Sequence, residues 1–232
     1  MKVIGITGGV GAGKSTLLSL LEDFPNVAVI KADEVSRRLM KKGEIGYEKT
    51  VFMFGQDILR EDGEIDRKKL GDIVFKEKNK RVVLNGLVHP AVKNAILEDI
   101  NKKSEEGKEI YFIEAALLLD DHYDTFCDEI WYVYSSEELR KQRVMRDRGY
   151  SEERVDGILG SQLTDEQIRD RYFKMKVAFN NRLLDKTNAL EKYKNKLPWV
   201  IINNDEGQLL TIEFAEALKE LINTEKNIYS GG

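Results

Sequence analysis

The stretch that decides the fold lies near the start of the chain and reads GGVGAGKS, Gly8–Ser15. It fits the pattern G-x-x-x-x-G-K-[ST], in which two glycines and a Lys-Ser or Lys-Thr pair stand at fixed spacing. The residues before it, Lys2–Thr7, form a short β-rich run, and those after it, Lys14–Glu22, carry four leucines at helical spacing. The pattern therefore lies between a predicted strand and a predicted helix, which is the context that it requires.

This arrangement is typical of a phosphate-binding loop, or P-loop. Its glycines allow the backbone to turn N–H groups inward, and with the N-terminus of the following helix they form a cradle for an anion. We expect the Lys14 ammonium group at the β- and γ-phosphates of ATP, and the Ser15 hydroxyl as a ligand of the magnesium ion that bridges them. The predicted ATP-binding residues are Gly9, Val10, Gly11, Ala12, Gly13, Lys14, Ser15 and Thr16.

The composition limits the remaining possibilities. The 232 residues suffice for one domain of ordinary enzyme size. The 37 basic and 41 acidic side chains leave a net charge of −4, so no global field attracts nucleic acid or an acidic membrane surface. The single cysteine, Cys127, cannot form an internal disulfide bond, and no apolar run approaches the roughly 18 residues of a membrane span. We therefore expect a cytoplasmic protein without a nucleic-acid or membrane partner, present as a monomer or a weak homo-oligomer.

Strand-like runs alternate with helical patterns along the chain. Besides Lys2–Thr7, the runs rich in β-branched and aromatic residues are Val27–Ile30, Ile110–Ile113, Ile130–Tyr134 and Trp199–Ile202. Strands that alternate with helices predict a parallel sheet. The expected fold class is α/β, with a five-stranded parallel sheet flanked by helices.

The stretch between the second and third predicted strands is helical in pattern and too long for one crossover helix. Asp66 precedes a helix that is expected to reach Phe75. Asn79–Val88 is predicted as a second helix, and Pro90 opens a third, because proline fits the first helical turn. We interpret residues 35–108 as an inserted helical lobe that covers a second substrate.

The part of the chain after the fourth predicted strand is also helical. Ser135 and Glu138 form a plausible capping box for a helix that Gly149 ends. Residues 136–196 are predicted as a helical lid with a basic insertion. The sheet core then comprises residues 1–34, 109–135 and 197–224, with a closing helix over Leu209–Ile222.

A P-loop alone does not distinguish a kinase from a GTPase or a motor ATPase. A GTPase switch protein needs D-x-x-G at a strand end and N-K-x-D for guanine recognition, and neither follows the appropriate strands. A phosphotransferase that acts on a hydroxyl group instead needs a carboxylate opposite the γ-phosphate. Asp33 follows the second predicted strand, at the sheet edge where ligands bind in open parallel sheets. It is a candidate catalytic base, and it could also cap the helix that starts there.

Further short motifs point to a family. The chain resembles the dephospho-coenzyme A kinase family over essentially its whole length, because these pieces occur in the family's order and spacing: GITGGVGAGKST (5–16), Ala32-Asp33, Phe54-Gly55, Asp62-Gly63, Asp66-Arg67, Leu84-Asn85, His89-Pro90 and Gln162. The resemblance implies a nucleoside-monophosphate-kinase-like fold with a five-stranded parallel core, a helical coenzyme-side domain and a mobile lid. It also implies transfer from ATP, with magnesium, to the ribose 3′-hydroxyl of dephospho-coenzyme A, the last step of coenzyme A biosynthesis.

The resemblance implies roles for individual residues as well. Asp33 resembles the family's catalytic base and Arg143 its lid arginine, and Lys14 completes the predicted catalytic set. The predicted substrate-binding residues are Thr7, Asp33 and His89. A structural role at a helix start is an equal alternative for His89.

Some positions depart from the family pattern. The segment Glu114–Asp120 reads EAALLLD where the family has D-x-P-L-L-F-E, and Lys31 stands where an acidic residue is common. The segment 165–196 is longer than expected, and its role is open, as is the identity of a second lid arginine. Two alternatives therefore remain: a P-loop kinase of another nucleotide or small hydroxyl acceptor, and a nucleotide-binding switch protein.

Overall fold

The computed structural model describes residues 1–115, 118–160, 162–172 and 199–205. Within these ranges the backbone forms five strands that alternate with helices. The strands are β1 (Lys2–Thr7), β2 (Val27–Lys31), β3 (Ile110–Glu114), β4 (Glu129–Tyr134) and β5 (Trp199–Asn203). Their bounds agree closely with those predicted from the sequence.

The strands form one sheet in the order β2-β3-β1-β4-β5. The pairs β2–β3, β1–β4 and β4–β5 are parallel. The register pairs Thr7 with Tyr132 and Tyr134 with Asn203, so the carboxyl ends of β1, β4 and β5 lie at one edge. The predicted α/β fold, with a five-stranded parallel sheet flanked by helices, is therefore confirmed.

The helices follow the predicted alternation. They are α1 (Lys14–Glu22), α2 (Ala32–Leu39), α3 (Ile45–Phe54), α4 (Arg67–Lys76), α5 (Lys78–Glu105), α6 (Glu137–Arg148) and α7 (Glu152–Gly160). Short 3-10 helices cover Gln56–Ile58 and Tyr123–Phe126, and residues 165–172 are helical. The helices α2 to α5 lie between β2 and β3, where the sequence predicts a helical lobe.

Residues Asn26–Ala115 belong to one compact unit. Its helices enclose a small apolar core in which Ile58, Ile65 and Leu70 are buried. The long helix α5 contacts α2, α3 and α4, so it is the element on which the other helices of this unit pack.

The helix α5 differs from the prediction at Pro90. The sequence predicts a new helix at this proline, but α5 continues through it. A proline inside a helix removes one main-chain donor and crowds the preceding turn, at a cost of about 3 kcal/mol. Val88, Val92 and Ile96 are buried at helical spacing on both sides of the proline. Packing of this face offsets the local cost, which explains why the two predicted helices are one.

Residues Lys2–Pro25 and the described residues from 118 onward belong to the second compact unit. Its sheet strands bury Ile4, Ile6 and Trp131 completely. A small apolar cluster around Val155 joins α6 to α7, and Val10 of the P-loop packs against it. The loop is therefore anchored by an apolar side chain as well as by its backbone.

Some predictions fall outside the described residues. These are the closing helix Leu209–Ile222, the sheet core beyond residue 205 and most of the basic insertion, from residue 173 onward. Within the described ranges, no helix combines the length and the apolar character needed to cross a membrane.

Candidate active site

The P-loop connects β1 to α1 at the carboxyl edge of the sheet. Gly13 precedes α1 with φ 102° and ψ 16°, a left-handed conformation that favours glycine. The helical ladder begins where the Leu17 N–H donates to the Gly13 carbonyl at 3.1 Å. The first N–H groups of an α-helix have no intrahelical acceptor, so the turn Lys14–Thr16 presents donors to an anion.

The Lys14 side chain folds back over the loop. Its Nζ donates to the carbonyl oxygens of Gly8 at 2.7 Å and Gly9 at 3.1 Å. An ammonium group is a compact charge with three rotatable donors. The positive charge is therefore held at the loop, and its donors can be transferred to the phosphate oxygens of a bound nucleotide.

Two side-chain amides hold the loop from distant parts of the sequence. Nδ2 of Asn204 donates to the carbonyl oxygen of Ala12 at 2.8 Å, and Oε1 of Gln162 accepts from the Val10 N–H at 3.2 Å. Asn204 is buried directly after β5. The sequence reasoning missed Asn204, although a polar residue at the carboxyl end of a predicted strand is the signal that could have found it.

Arg143 of α6 lies beside the loop, and its role as the lid arginine stays a prediction. Its Nη1 donates to Oγ of Ser135 at 3.0 Å and to the carbonyl oxygen of Gly11 at 3.4 Å. Its Nη2 donates to the carbonyl oxygen of Asn204 at 2.7 Å. The guanidinium thus joins the P-loop to the ends of β4 and β5.

The predicted capping box at the start of α6 is wrong. The N-cap residue is Ser136, whose side chain makes no capping bond. Ser135 is buried and hydrogen-bonds Arg143 instead, while Glu138 accepts from Nε2 of Gln142 at 3.0 Å. The main-chain N–H of Ser136 finds its acceptor in Oδ1 of Asp205 at 2.6 Å.

Asp33 lies in the first turn of α2, which begins directly after β2. Ala32, Val35 and Leu39 are buried and fix the inner face of this helix. The Asp33 side chain is exposed, at the carboxyl end of β2. The carboxylate is therefore accessible to a ligand, as a catalytic base must be.

The two other predicted substrate residues are less accessible. Thr7 ends β1 and is buried. His89 is half-buried within α5, directly before Pro90, rather than at a helix start. The helix-start interpretation of His89 is therefore wrong, whereas a substrate contact by Thr7 or His89 stays a prediction.

A cavity of about 620 Å³ opens within the unit Asn26–Ala115. Two carboxylates in its wall are already hydrogen-bonded to the backbone: Asp66 accepts from the N–H groups of Lys68 and Lys69, and Glu64 accepts from that of Lys42. The remaining lining residues are Met40, Lys41, Arg60, Ile65, Arg67 and Lys68. The cavity is therefore rich in positive charge and suits an anionic ligand with an apolar part.

The comparisons with known proteins agree on one family. The family model of CoaE, described as dephospho-CoA kinase, matches residues 2–192. The dephospho-CoA kinase of Listeria innocua is 35% identical over 187 residues, 80% of this chain and 92% of that protein. The dephospho-CoA kinase of Carboxydothermus hydrogenoformans is 32% identical over 197 residues, 85% of this chain and 91% of that protein.

A solved structure supports the fold. The dephospho-CoA kinase from Campylobacter jejuni superimposes with a TM-score of 0.60 over 97% of this chain and all of that one, at 22% sequence identity. At this identity the likeness concerns the fold alone, and it agrees with the parallel sheet described above. The family model and the two sequence relatives carry the assignment further: the chain belongs to the dephospho-CoA kinase family.

Proposed function

We propose that this chain transfers the γ-phosphoryl group of ATP to the ribose 3′-hydroxyl of dephospho-coenzyme A, which gives ADP and coenzyme A. The observation that carries the proposal is the P-loop between β1 and α1, with the Lys14 ammonium group held against its carbonyl oxygens. This loop lies in a chain whose residues 2–192 match the family.

The proposed donor site is the P-loop with the first turn of α1. The main-chain N–H groups of Gly13–Thr16 and the Lys14 ammonium group bind the phosphates, while the Val10 N–H is engaged by Gln162. The Ser15 hydroxyl is exposed in this turn, and an oxygen ligand of this kind suits magnesium. Magnesium enters with ATP as part of the substrate and offsets the charge that develops on the leaving ADP.

In the proposed transfer step Asp33 handles the proton. The 3′-oxygen forms a bond to the γ-phosphorus while the bond from that phosphorus to the β,γ-bridging oxygen breaks, and ADP leaves. The proton of the 3′-hydroxyl passes to the Asp33 carboxylate, which also orients the hydroxyl group before attack. Solvent exposure of Asp33 at the end of β2 supports this role.

The acceptor's diphosphate and pantetheine arm are proposed to extend along α2 toward the cationic cavity. Met40, which lines the cavity, directly follows α2 and lies seven positions after Asp33, about 10 Å along the helix axis. Asp33, Arg37 and Met40 recur at helical spacing, so they share one side of α2. A 3′-hydroxyl at Asp33 would thus leave the anionic part of the same molecule within reach of Arg37 and Arg67.

Arg143 is proposed to act from beside the loop. Its guanidinium has five N–H donors, and three hydrogen bonds join it to Gly11, Ser135 and Asn204. The remaining donors can bind phosphate oxygens and stabilise the charge of the transition state.

An acceptor screen tests the proposal. Release of ADP is measured with ATP and magnesium in the presence of dephospho-coenzyme A, AMP or pantetheine, with a no-acceptor control. We expect rapid ADP release only with dephospho-coenzyme A. Mass spectrometry of the product should show that the acceptor has kept its diphosphate and gained one phosphoryl group. A strong preference for AMP would favour a nucleotide kinase, and ATP-dependent partner binding without acceptor turnover would favour a switch protein.

A further inference from the structure

Arg140 is a buried charge next to the P-loop. It lies in α6, one turn before Arg143, and only 9% of its surface is exposed. A Cβ built on Gly9 would lie 1.9 Å from Nη1 of Arg140 and 3.0 Å from its Cζ. The guanidinium is therefore packed directly against the backbone of the loop, and any side chain at position 9 would collide with it.

The hydrogen bonding of Arg140 is incomplete. Its Nε is buried and has no hydrogen-bond partner among the described residues. Nearby, burial and the hydrogen bond to Asp165 raise the pKa of Tyr132, and the charge of Arg140 opposes that rise. The Asp165 carboxylate accepts from the Tyr132 hydroxyl, so a neighbouring acid is already engaged by another donor.

Arg143 provides an internal comparison on the same helix. Its guanidinium makes three hydrogen bonds to protein oxygens and is less buried than that of Arg140. A buried guanidinium is costly unless an anion or several acceptors compensate its charge. The protein therefore meets this requirement for Arg143, whereas the Nε of Arg140 stays without an acceptor in the described part of the chain.

We propose that the triphosphate of bound ATP is the anion that compensates Arg140, so that this residue is a fixed positive charge for nucleotide binding. Arg140 is a positioning residue: it acts through the P-loop against which it packs, and its field reaches the phosphates held by the loop amides. In this division Arg140 supplies charge, and Arg143 supplies both charge and the hydrogen bonds that keep the loop in place.

Two consequences separate this role from a structural one. Removal of the charge should weaken binding most for the nucleotide with the most phosphates, because the interaction is Coulombic. The same removal should leave the nucleotide-free protein at least as stable as before, since replacing an uncompensated buried charge with an apolar side chain of similar length is often neutral or stabilising. A residue that only filled space would not show the dependence on the number of phosphates, and a residue that held the loop by hydrogen bonds would lower the stability of the nucleotide-free protein when replaced.

The test uses the full chain with Arg140→Met, Arg140→Lys and, as the matched control, Arg143→Met. Affinities for ATP, ADP and AMP are measured by calorimetry, and unfolding temperatures are measured without nucleotide. For Arg140→Met we expect ATP affinity to fall on the order of tenfold, with a smaller loss for ADP and the smallest for AMP. Its unfolding temperature should equal or exceed that of the unchanged protein, and Arg140→Lys should regain most of the ATP affinity.

Arg143→Met should instead lower the unfolding temperature, because the carbonyl oxygen of Asn204 loses its donor. The inference is overturned if Arg140→Met binds ATP normally. It is equally overturned if that variant fails to fold, or if it loses the same factor for all three nucleotides.

The inference rests on the proposed nucleotide site, and the measurements separate the two. If the unchanged protein binds no ATP, the site and the role of Arg140 both fail. If it binds ATP but does not phosphorylate dephospho-coenzyme A, the proposed acceptor is wrong, and the nucleotide affinities of the variants still decide the role of Arg140.

Discussion

Asp33 and Lys14 carry opposite charges and have separable duties in the proposed reaction. Asp33→Asn keeps the shape of the side chain but removes its basicity, so turnover should fall about 10²- to 10⁴-fold while ATP affinity is unchanged. Lys14→Ala removes a charge that is held at the loop, so both ATP affinity and turnover should be lost. Calorimetry with ATP and a coupled ADP-release assay distinguish the two results. Near-normal turnover of Asp33→Asn would exclude the general-base role.

Gly13 is constrained by its backbone and by a neighbour. Its φ is 102°, and a Cβ at this position would lie 2.0 Å from Nδ2 of Asn204. Gly107 also has a positive φ, of 81°, but nothing lies within 4 Å of a Cβ built there. Both alanine substitutions carry the backbone penalty of about 1–2 kcal/mol, and Gly13→Ala should additionally displace Asn204.

The comparison of Gly13→Ala with Gly107→Ala thus isolates the contact with Asn204. In urea unfolding, Gly13→Ala should cost at least about 1 kcal/mol more than Gly107→Ala, in the range of disrupted buried hydrogen bonds. Equal losses for the two variants would mean that Asn204 moves aside without cost.

At the scale of elements, α4 shows a helix start that sequence alone specifies. The sequence predicts that Asp66 precedes the helix, and its carboxylate accepts from the N–H groups of Lys68 and Lys69. The hydrogen bond from the Lys69 N–H, the largest cause, holds the pKa of Asp66 below its ordinary value of 3.8. A lowered pKa means that the carboxylate stabilises the fold above 3.8, and that this contribution is lost as the pH falls through the lower folded value.

Substitutions of Asp66 test this cap. Asp66→Asn keeps an N-cap acceptor without a titrating charge, so its stability should be close to that of the unchanged protein at a pH below the lowered folded pKa, but lower near neutral pH. Asp66→Ala lacks the acceptor and should be less stable at both pH values. Urea unfolding at the two pH values is the measurement. A constant difference between Asp66→Asn and the unchanged protein would show that ionisation of Asp66 does not contribute.

Other elements could not be predicted from local pattern because distant contacts decide them. Ser135 has the sequence context of a helix cap, but its hydroxyl oxygen accepts a hydrogen bond from Arg143. The N–H of Ser136 donates to the Asp205 carboxylate. Pro90 has the context of a helix start, but the buried face around Val88 holds α5 together through it. In both places a tertiary contact outweighs a local preference of comparable size.

For the whole molecule, the sequence predicts the P-loop and the α/β alternation, but it predicts neither the order of the strands in the sheet nor the residues that brace the loop. Lys14 and the glycines lie within one motif, so their spacing carries the information. The partners of Val10 and Ala12 lie 152 and 192 residues further along the chain. Gln162 belongs to the motifs of the family resemblance, whereas Asn204 and Arg140 lie beside the loop only because the folded sheet places their elements there.

The bond from Asn204 to the loop should therefore couple the end of the sheet to nucleotide binding. Asn204→Ala leaves the carbonyl oxygen of Ala12 without its donor. This loss should cost about 1–3 kcal/mol of unfolding free energy. The control is Asn26→Ala, whose Nδ2 donates to Glu109 in an exposed pair and whose loss should cost less than about 0.5 kcal/mol.

Binding of ATP to the folded state raises the unfolding temperature, and at a fixed ATP concentration this rise grows with the logarithm of the affinity, so it reports how well the loop is formed. The rise in unfolding temperature should be the same in Asn26→Ala as in the unchanged protein, and smaller in Asn204→Ala. A loop without the Asn204 hydrogen bond must be ordered by the nucleotide, and this ordering lowers the affinity. Thermal unfolding with and without ATP and magnesium gives both values. An equal rise in the two variants would mean that the loop keeps its shape without the hydrogen bond from Asn204. Asn204 would then contribute to the stability of the fold but not to nucleotide binding.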